Sequence, residues 1–379
     1  MMEAKRILLV AAANSTTGGG ERHVADLLTG LVERGYLVAV AAPSGGDLER
    51  LAQNLGVKHF GIPLSGALRL DTVLKLRDAI SEFEPNIIHA HGTRAASFAR
   101  LAKNRLGVKV VYTVHGIHAD KGLARLVKLP LERKLKSRTD CFIAVCESDR
   151  RKGADLGILE PEKTHVIYNG IAPLDSFETP VREAEMNLPA DSLVILHVGR
   201  ASEQKGQPDL LEAFAGYLKT TSVQSSYLAM LVAPDDGGVL YRSLHEKVRE
   251  LGIEDNVRWL ELRENVLPLY LVADALVLSS RWEGFPYVIL EAANAGCPIV
   301  STNVDGISEA ASSPAEGLLV PASDPEALMD ALLQFADMSK EEREAMAARA
   351  KTRVNRDFTL DNMIEKTVVV YEKLALESK

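Results

Sequence analysis

The run Ile7-Leu8-Leu9-Val10, the polar loop Asn14-Ser15-Thr16-Thr17-Gly18-Gly19-Gly20 and the helical stretch from Glu21 to Glu33 decide the fold. A short apolar strand enters a glycine-rich turn, a helix follows and stops near Gly35, and a second apolar run, Leu37 to Ala41, begins at once. Outward from this β-loop-α-β unit the pattern recurs at Ile87-Ile88-His89, Lys109 to Val114 and Cys141 to Val145, each run separated from the next by helical or mixed sequence. Short apolar runs alternating with helices imply a parallel sheet wound on both faces.

The stretch from Asn169 to Asp191 holds Pro173, Pro180 and Pro189 and sustains no apolar period, so it reads as a connection between domains. Beyond it the pattern restarts with Leu193 to Val198, the helix Pro208 to Leu218, and further runs at Leu228 to Val232, Val257 to Leu260, Ala275 to Leu278, Pro298 to Ser301 and Leu318 to Val320. The expected organisation is a first doubly wound domain over 1–175, a linker over 176–190 and a second domain over 191–357. The last 40 residues read as two helices broken around Asp357-Phe358-Thr359, with 358–379 packing back on the first domain. Two such sheets in tandem place a central cleft between the carboxyl ends of their strands.

A length of 379 residues fits two domains. The composition, 46% hydrophobic and 25% charged, is that of an ordinary globular protein and excludes disordered and fibrous classes. Three cysteines, with Cys141 and Cys146 in one apolar run, supply neither a disulfide framework nor a metal knuckle. The N-terminus lacks a signal-peptide cleavage pattern, and no run approaches the roughly 20 apolar residues of a membrane span, so the expected location is cytoplasmic. Charge is uneven: residues 1–175 carry 25 Lys+Arg against 19 Asp+Glu, and the whole chain carries −8. With a pI near 5.7, nonspecific nucleic-acid binding is excluded as a function.

Three constellations carry chemistry. Glycines at 18–20 before a helix let a backbone approach a phosphate at the positive helix end. A nicotinamide-type fingerprint fails here, because the position three after Gly20 is His23 and no acid closes the second strand at Ala41-Ala42-Pro43. The second constellation, Gly199-Arg200-Ala201-Ser202-Glu203-Gln204-Lys205-Gly206, sets a guanidinium fork and an ammonium five residues apart beyond a strand, a pairing suited to a diphosphate. The third runs from Glu283 through Gly284-Phe285-Pro286-Tyr287-Val288 to Glu291, placing one carboxylate in a loop and one inside a helix among apolar neighbours, where a polyhydroxyl ligand is a partner worth the cost of burial. A solvated charged loop and a water-facing glutamate are the competing readings.

Taken together, Gly-Gly before the first helix, Arg-x4-Lys-Gly after the first strand of the second half, and Glu-x7-Glu followed by Ala-Gly-x-Pro resemble the retaining GT-B glycosyltransferases of family 4, group 1 type. The resemblance extends through His89-Ala90-His91-Gly92, Thr113-Val114-His115-Gly116, Asn169-Gly170 and Gly317-Leu318-Leu319-Val320-Pro321. It implies an α/β fold of two Rossmann-like doubly wound domains facing a central cleft. It further implies transfer of a sugar from a nucleotide-diphosphate-sugar, UDP-linked by preference, to an acceptor hydroxyl with retention, in the assembly of cell-surface polysaccharide, lipopolysaccharide or glycolipid.

Carried over residue by residue, Arg200 and Lys205 would grip the donor diphosphate, with Gly18 and the Gly19 amide approaching it. Glu291 would hold the ribose and Glu283 the donor sugar, with the amides of Gly284, Phe285, Tyr287 and Val288 at the helix start, and His115 would face the transferring sugar. Where many relatives have Phe-Leu-Gly, this chain has Trp259-Leu260-Glu261, which shifts the expected base contacts to Leu262 and Arg263. No metal and no cofactor are expected: Asp235-Asp236 sits in a turn, and His89 and His91 have no third ligand at metal spacing. A nucleotide-sugar epimerase of the same architecture and a two-lobed ligand-binding protein without chemistry are the alternative functions.

Residues 121–138 hold seven cations, Lys121, Arg125, Lys128, Arg133, Lys134, Lys136 and Arg138, against the single acid Glu132, with leucines interspersed. This suits a segment, split by Pro130 into two short helices, that lies on an anionic membrane and brings a peripheral enzyme to a lipid-linked or glycan acceptor at the inner face of the plasma membrane. Leucines packed on the first domain beneath solvated cations are the competing reading.

Overall fold

The computed structural model describes residues 5–15, 18–65, 68–103, 107–117, 123–174, 180–223 and 225–376; for 123–127, 183 and 236 only the backbone is considered. Thr16, Thr17, Lys121, position 175 and positions 176–179 of the expected linker therefore lie outside the described residues, as do the side chains of Arg125 and Asp236. The chain forms two compact units: one runs to Gly170 and takes in the chain from Leu360 onward, the other spans Ile171–Thr359.

The first unit is built on a seven-stranded sheet of β1 (Arg6–Ala11), β2 (Leu37–Ala42), β3 (Lys58–Gly61), β4 (Ile87–His91), β5 (Lys109–Val114), β6 (Cys141–Ala144) and β7 (Thr164–Val166). The order across it is β3-β2-β1-β4-β5-β6-β7, and every pairing is parallel. Leu8, Val10, Ile88, Val110 and Phe142 point into one core with Ile80 and Phe98, while Ile7, Leu9, Val38 and Val111 point into the other with Leu27, Leu31, Ile364 and Tyr371. Burial on both faces is why these strands read as unbroken apolar runs. The helix Leu360–Leu376 packs on the helix Gly19–Glu33 at Gly30, where a Cβ would stand 2.1 Å from Ile364 Cδ1. Without a side chain there, the two helices approach closely enough to share a core.

In the second unit, β8 (Leu193–Arg200), β9 (Ser226–Ala233), β10 (Val257–Trp259), β11 (Ala275–Leu278), β12 (Ile299–Thr302) and β13 (Leu318–Val320) form a parallel sheet ordered β10-β9-β8-β11-β12-β13. Both orders reverse direction beside the first strand of the unit, at β1/β4 and at β8/β11. In open α/β sheets this switch point is where loops diverge and leave a crevice for ligands. In the first unit the Gly-rich turn follows β1 and His91 ends β4. In the second, Arg200 ends β8, Lys205 follows it, and Glu283 follows β11.

Several local expectations are corrected. The first helix begins at Gly19, so Gly19 and Gly20 are helical and only Gly18 caps it. Pro130 does not split its segment: Leu123–Leu135 is one helix with the proline inside. An interior proline costs about 3 kcal/mol through its lost N–H bond and ring clash, yet the helix continues past it to Glu132 and Leu135, both buried. The edge strands β3 and β7 have no counterpart in the sequence reading, because each is short and carries polar residues.

Candidate active site

In the second unit, β8 ends at Arg200 and a single 3-10 turn, Glu203–Lys205, leads into the helix Gln207–Thr220. Gly206 joins them with φ +59°, and a Cβ there would lie 2.2 Å from the carbonyl oxygen of Ser279. Only glycine meets both demands, and by meeting them it brings the Lys205 turn against the end of β11. Arg200 is exposed and no acid pairs with it among the described residues. Its backbone carbonyl accepts a hydrogen bond from Gln207 Nε2 at 2.7 Å, which ties the strand end to the start of the helix Gln207–Thr220.

Lys205 is differently placed. Its Nζ donates to Glu283 Oε1 at 2.5 Å, with 16% and 7% of the two side chains exposed. The same carboxylate accepts from Ser280 Oγ at 2.7 Å and from Gln204 Nε2 at 3.2 Å. Glu283 N–H donates to Asp305 Oδ2 at 3.0 Å, and Asp305 adopts φ +44°, a left-handed conformation strained for a side-chain-bearing residue. A buried carboxylate is tolerable only when its lone pairs are met, and here a cation, a hydroxyl and an amide meet them. The protein thus neutralises this buried charge from within.

Gly284 and Phe285 are buried, and Gly284 is fixed by its carbonyl, which accepts from Gly306 N–H at 3.0 Å. The helix Tyr287–Ala295 starts immediately afterwards, so Tyr287 and Val288 supply its first-turn amides at the positive end of the helix dipole. Glu291 lies one turn further in, half-buried, and accepts from the hydroxyl of the buried Tyr270 at 2.8 Å. Arg263 points elsewhere: its Nη1 donates to Glu185 Oε2 at 2.6 Å, tying the loop after β10 to the short helix Arg182–Met186. Asp235 caps the helix Val239–Leu251 by accepting from the amides of Leu240 and Tyr241. Those amides, Tyr241 foremost, hold its carboxyl below the usual carboxylate range.

In the first unit the strand ends bring histidines together. His89 is fully buried, and both of its nitrogens are occupied, by Tyr371 Oη at 2.5 Å and Thr113 Oγ1 at 2.6 Å. His91 Nδ1 lies 3.3 Å from His115 Nε2, and the two rings stack with centroids 5.6 Å apart. His23, from the first helix, sets its ring 4.9 Å from that of His115 and donates from Nδ1 to Asn169 Oδ1 at 2.9 Å. Gly20 passes beside them, and a Cβ there would touch the His115 ring at 3.4 Å. Burial pushes His23 down to about 4 and holds His91 and His115 well below the ordinary histidine value, so all three imidazoles are neutral at pH 7.

Sequence reasoning missed Gln204, Ser280, Asp305, Tyr270 and His23. Gln204 sits inside a stretch it quoted and Ser280 lies between two of them, whereas the other three reach their partners from distant elements that no local signal announces. The described residues include no helix long and apolar enough to cross a membrane.

Comparison with known proteins follows the same division into units. Residues 17–173 match the Glycosyltransferase Family 4 model and residues 180–353 the Glycosyl transferases group 1 model. The chain is 28% identical to the D-inositol 3-phosphate glycosyltransferase of Actinosynnema mirum, covering 93% of this chain and 92% of that one. It is 24% identical to the UDP-Gal:alpha-D-GlcNAc-diphosphoundecaprenol alpha-1,3-galactosyltransferase of Escherichia coli, covering 71% and 70% respectively. The crystal structure of Anabaena HepE in complex with UDP superposes with a TM-score of 0.83 at 20% identity, over 97% of this chain and all of that one. Two parallel doubly wound sheets and this match together give the GT-B fold, and the chain belongs to the family 4, group 1 glycosyltransferases, enzymes that transfer glycosyl groups.

Proposed function

We propose that the enzyme is a retaining, metal-independent glycosyltransferase that takes a UDP-sugar and glycosylates an acceptor hydroxyl in cell-surface polysaccharide, lipopolysaccharide or glycolipid assembly. The observation that carries the reading is the cluster at the β8/β11 switch point: an exposed Arg200, a Lys205 held by Glu283, and Glu291 set by Tyr270. Negative charge builds on the leaving diphosphate as its bond to the anomeric carbon breaks, and Arg200 and Lys205 stabilise that charge where other transferases use a divalent cation. The acceptor oxygen bonds to the anomeric carbon from the leaving-group face, the departing phosphate oxygen takes its proton, and Glu283 holds the sugar hydroxyls. His115, neutral, faces the sugar as a hydrogen-bonding group.

Incubation with UDP-glucose, UDP-galactose, UDP-GlcNAc and GDP-mannose is the test. Slow release of UDP supports the proposal; release of GDP alone moves the donor assignment, and interconversion of the sugars without release makes the chain an epimerase. Roles within the site separate by calorimetry with bare UDP. Glu291→Ala is expected to weaken binding about tenfold, since a ribose contact to a charged group contributes about 1.5 kcal/mol. Glu283→Ala should leave affinity at least as high as wild type, because it frees Lys205, yet should abolish transfer. Equal loss in both variants rejects the assignment.

The acceptor is lipid-linked in this reading. The E. coli relative's name specifies a diphosphoundecaprenol acceptor, and the helix Leu123–Leu135 exposes Lys128, Arg133 and Lys134 while Glu132 and Leu135 face the protein. Cations on an outward face gain about 1 kcal/mol each near an anionic surface. Co-sedimentation with anionic vesicles at low salt is expected, falling off by ~0.5 M salt through screening and weakened when Lys128, Lys134 and Lys136 are changed to Glu. Protein that stays in the supernatant with anionic vesicles at low salt points to a soluble acceptor.

A further inference from the structure

The histidines of the first unit do more than line a strand end. A ring nitrogen from each of His23, His91 and His115 lies within 4.8 Å of the other two. The 3.3 Å between His91 Nδ1 and His115 Nε2 is the spacing of two nitrogens bound to one tetrahedral zinc at about 2.0–2.1 Å, and it is long for a hydrogen bond. His23 Nδ1 donates to Asn169, so its Nε2 carries the lone pair; a ring fixed through its other nitrogen by an amide or carboxylate oxygen is the usual support of a metal-binding histidine.

His91 is only 6% exposed, and its Nε2 has no hydrogen-bond partner among the described residues. The described residues therefore satisfy this ring poorly: one nitrogen faces another imidazole and the second has no hydrogen-bonding group among them. His89 is excluded as a ligand because Tyr371 and Thr113 occupy both of its nitrogens. His115 is the partly accessible member and gives the route in.

We propose that His23, His91 and His115 form a binding site for a borderline transition-metal dication of the Zn²⁺ class, held by three neutral imidazoles with Asn169 behind His23 and solvent in the fourth position. Such a set of nitrogens favours Zn²⁺ or Co²⁺ over the hard Mg²⁺, which prefers oxygen ligands. The cation is an inhibitor of this enzyme and not its cofactor. That consequence alone rests on the role of His115 given above: with its nitrogen bound to metal, His115 no longer faces the sugar.

The test uses the full chain stripped of metal. Calorimetry with ZnCl₂ is expected to show one bound equivalent, and Co²⁺ to give the intense visible bands of a four- or five-coordinate ion, with no displacement by excess Mg²⁺. His23→Gln and His115→Gln should each weaken Zn²⁺ binding at least ~10-fold. Asn169→Ala, which leaves all three ligands in place, should weaken it by ~10-fold through the lost support. Circular dichroism identifies any variant that fails to fold, and the wild-type Co²⁺ spectrum decides independently of all three. Absent binding, a six-coordinate Co²⁺ spectrum, or affinity unchanged in every folded variant overturns the site. Loss of UDP release on adding Zn²⁺, restored by EDTA, supports inhibition. Bound Zn²⁺ with unaltered turnover would leave the site standing and remove His115 from the reaction.

Discussion

Lys205→Ala is expected to lower kcat/KM by at least ~10²-fold, because a preorganised charge aimed at developing phosphate charge contributes about 3 kcal/mol to transition-state stabilisation. The structure makes the experiment interpretable. Glu283 keeps Ser280 and Gln204 as hydrogen-bond donors when the ammonium is removed, so the carboxylate retains two of its three side-chain donors. Glu283 nevertheless remains a buried carboxylate without its counter-charge, and Lys205→Ala/Glu283→Gln separates that cost from the loss of catalytic charge. The double variant is read for stability alone, because Glu283 itself holds the sugar: if it is as stable as wild type while Lys205→Ala stays folded and inactive at the assay temperature, the defect is electrostatic. Arg200→Lys should also be impaired, since a point charge cannot reproduce a guanidinium fork. Being exposed, Arg200 should do so with no change in stability. Near wild-type turnover of Lys205→Ala at saturating donor removes the residue from the mechanism.

What the sequence displayed and what it concealed divide along the range of the interactions. β1, β2 and β8 were legible because strands buried on both faces leave continuous apolar runs, and the short polar edges β3 and β7 were not. Glycine at 206 was visible, but its reason, the carbonyl of Ser279 at the end of another strand, was not. Arg200, Lys205, Glu283 and Glu291 stand in local patterns. Tyr270, Asp305 and Asn169 act on residues 21, 22 and 146 positions away, and only the folded sheet order joins them. His89 and His91 announced themselves as a pair at i and i+2, yet the ring that joins His91 comes from the start of a different helix, where His23 reads as an ordinary helical residue.

The same limit concealed the anchor of the basic helix. Glu132, the single acid among seven cations, reads in sequence as an exception on a solvated face. It is instead buried and bonded bidentately to Arg100 Nη2, at 2.7 and 2.8 Å, with Ser97 Oγ donating at 3.0 Å. Arg100 is completely buried, and its guanidinium lies 5.1 Å from the ring centre of Tyr112 on β5. The pair fastens the helix Leu123–Leu135 to the helix Gly92–Ala102. Removing one partner of a buried pair leaves the other desolvated and unmatched, at about 3–5 kcal/mol, whereas replacing both with apolar residues is often neutral. Glu132→Ala is therefore expected to destabilise the first unit by about 3–5 kcal/mol, and Arg100→Met/Glu132→Leu to recover most of that loss. Both tryptophans, Trp259 and Trp282, lie in the second unit, so the readout is amide hydrogen exchange of β4, β5 and the helix Gly92–Ala102 under native conditions. Faster exchange there in Glu132→Ala, reversed in the double variant, assigns the effect to the stranded guanidinium. Equal exchange in Glu132→Ala and wild type would mean that the leucines alone hold the helix, and that its acid is incidental.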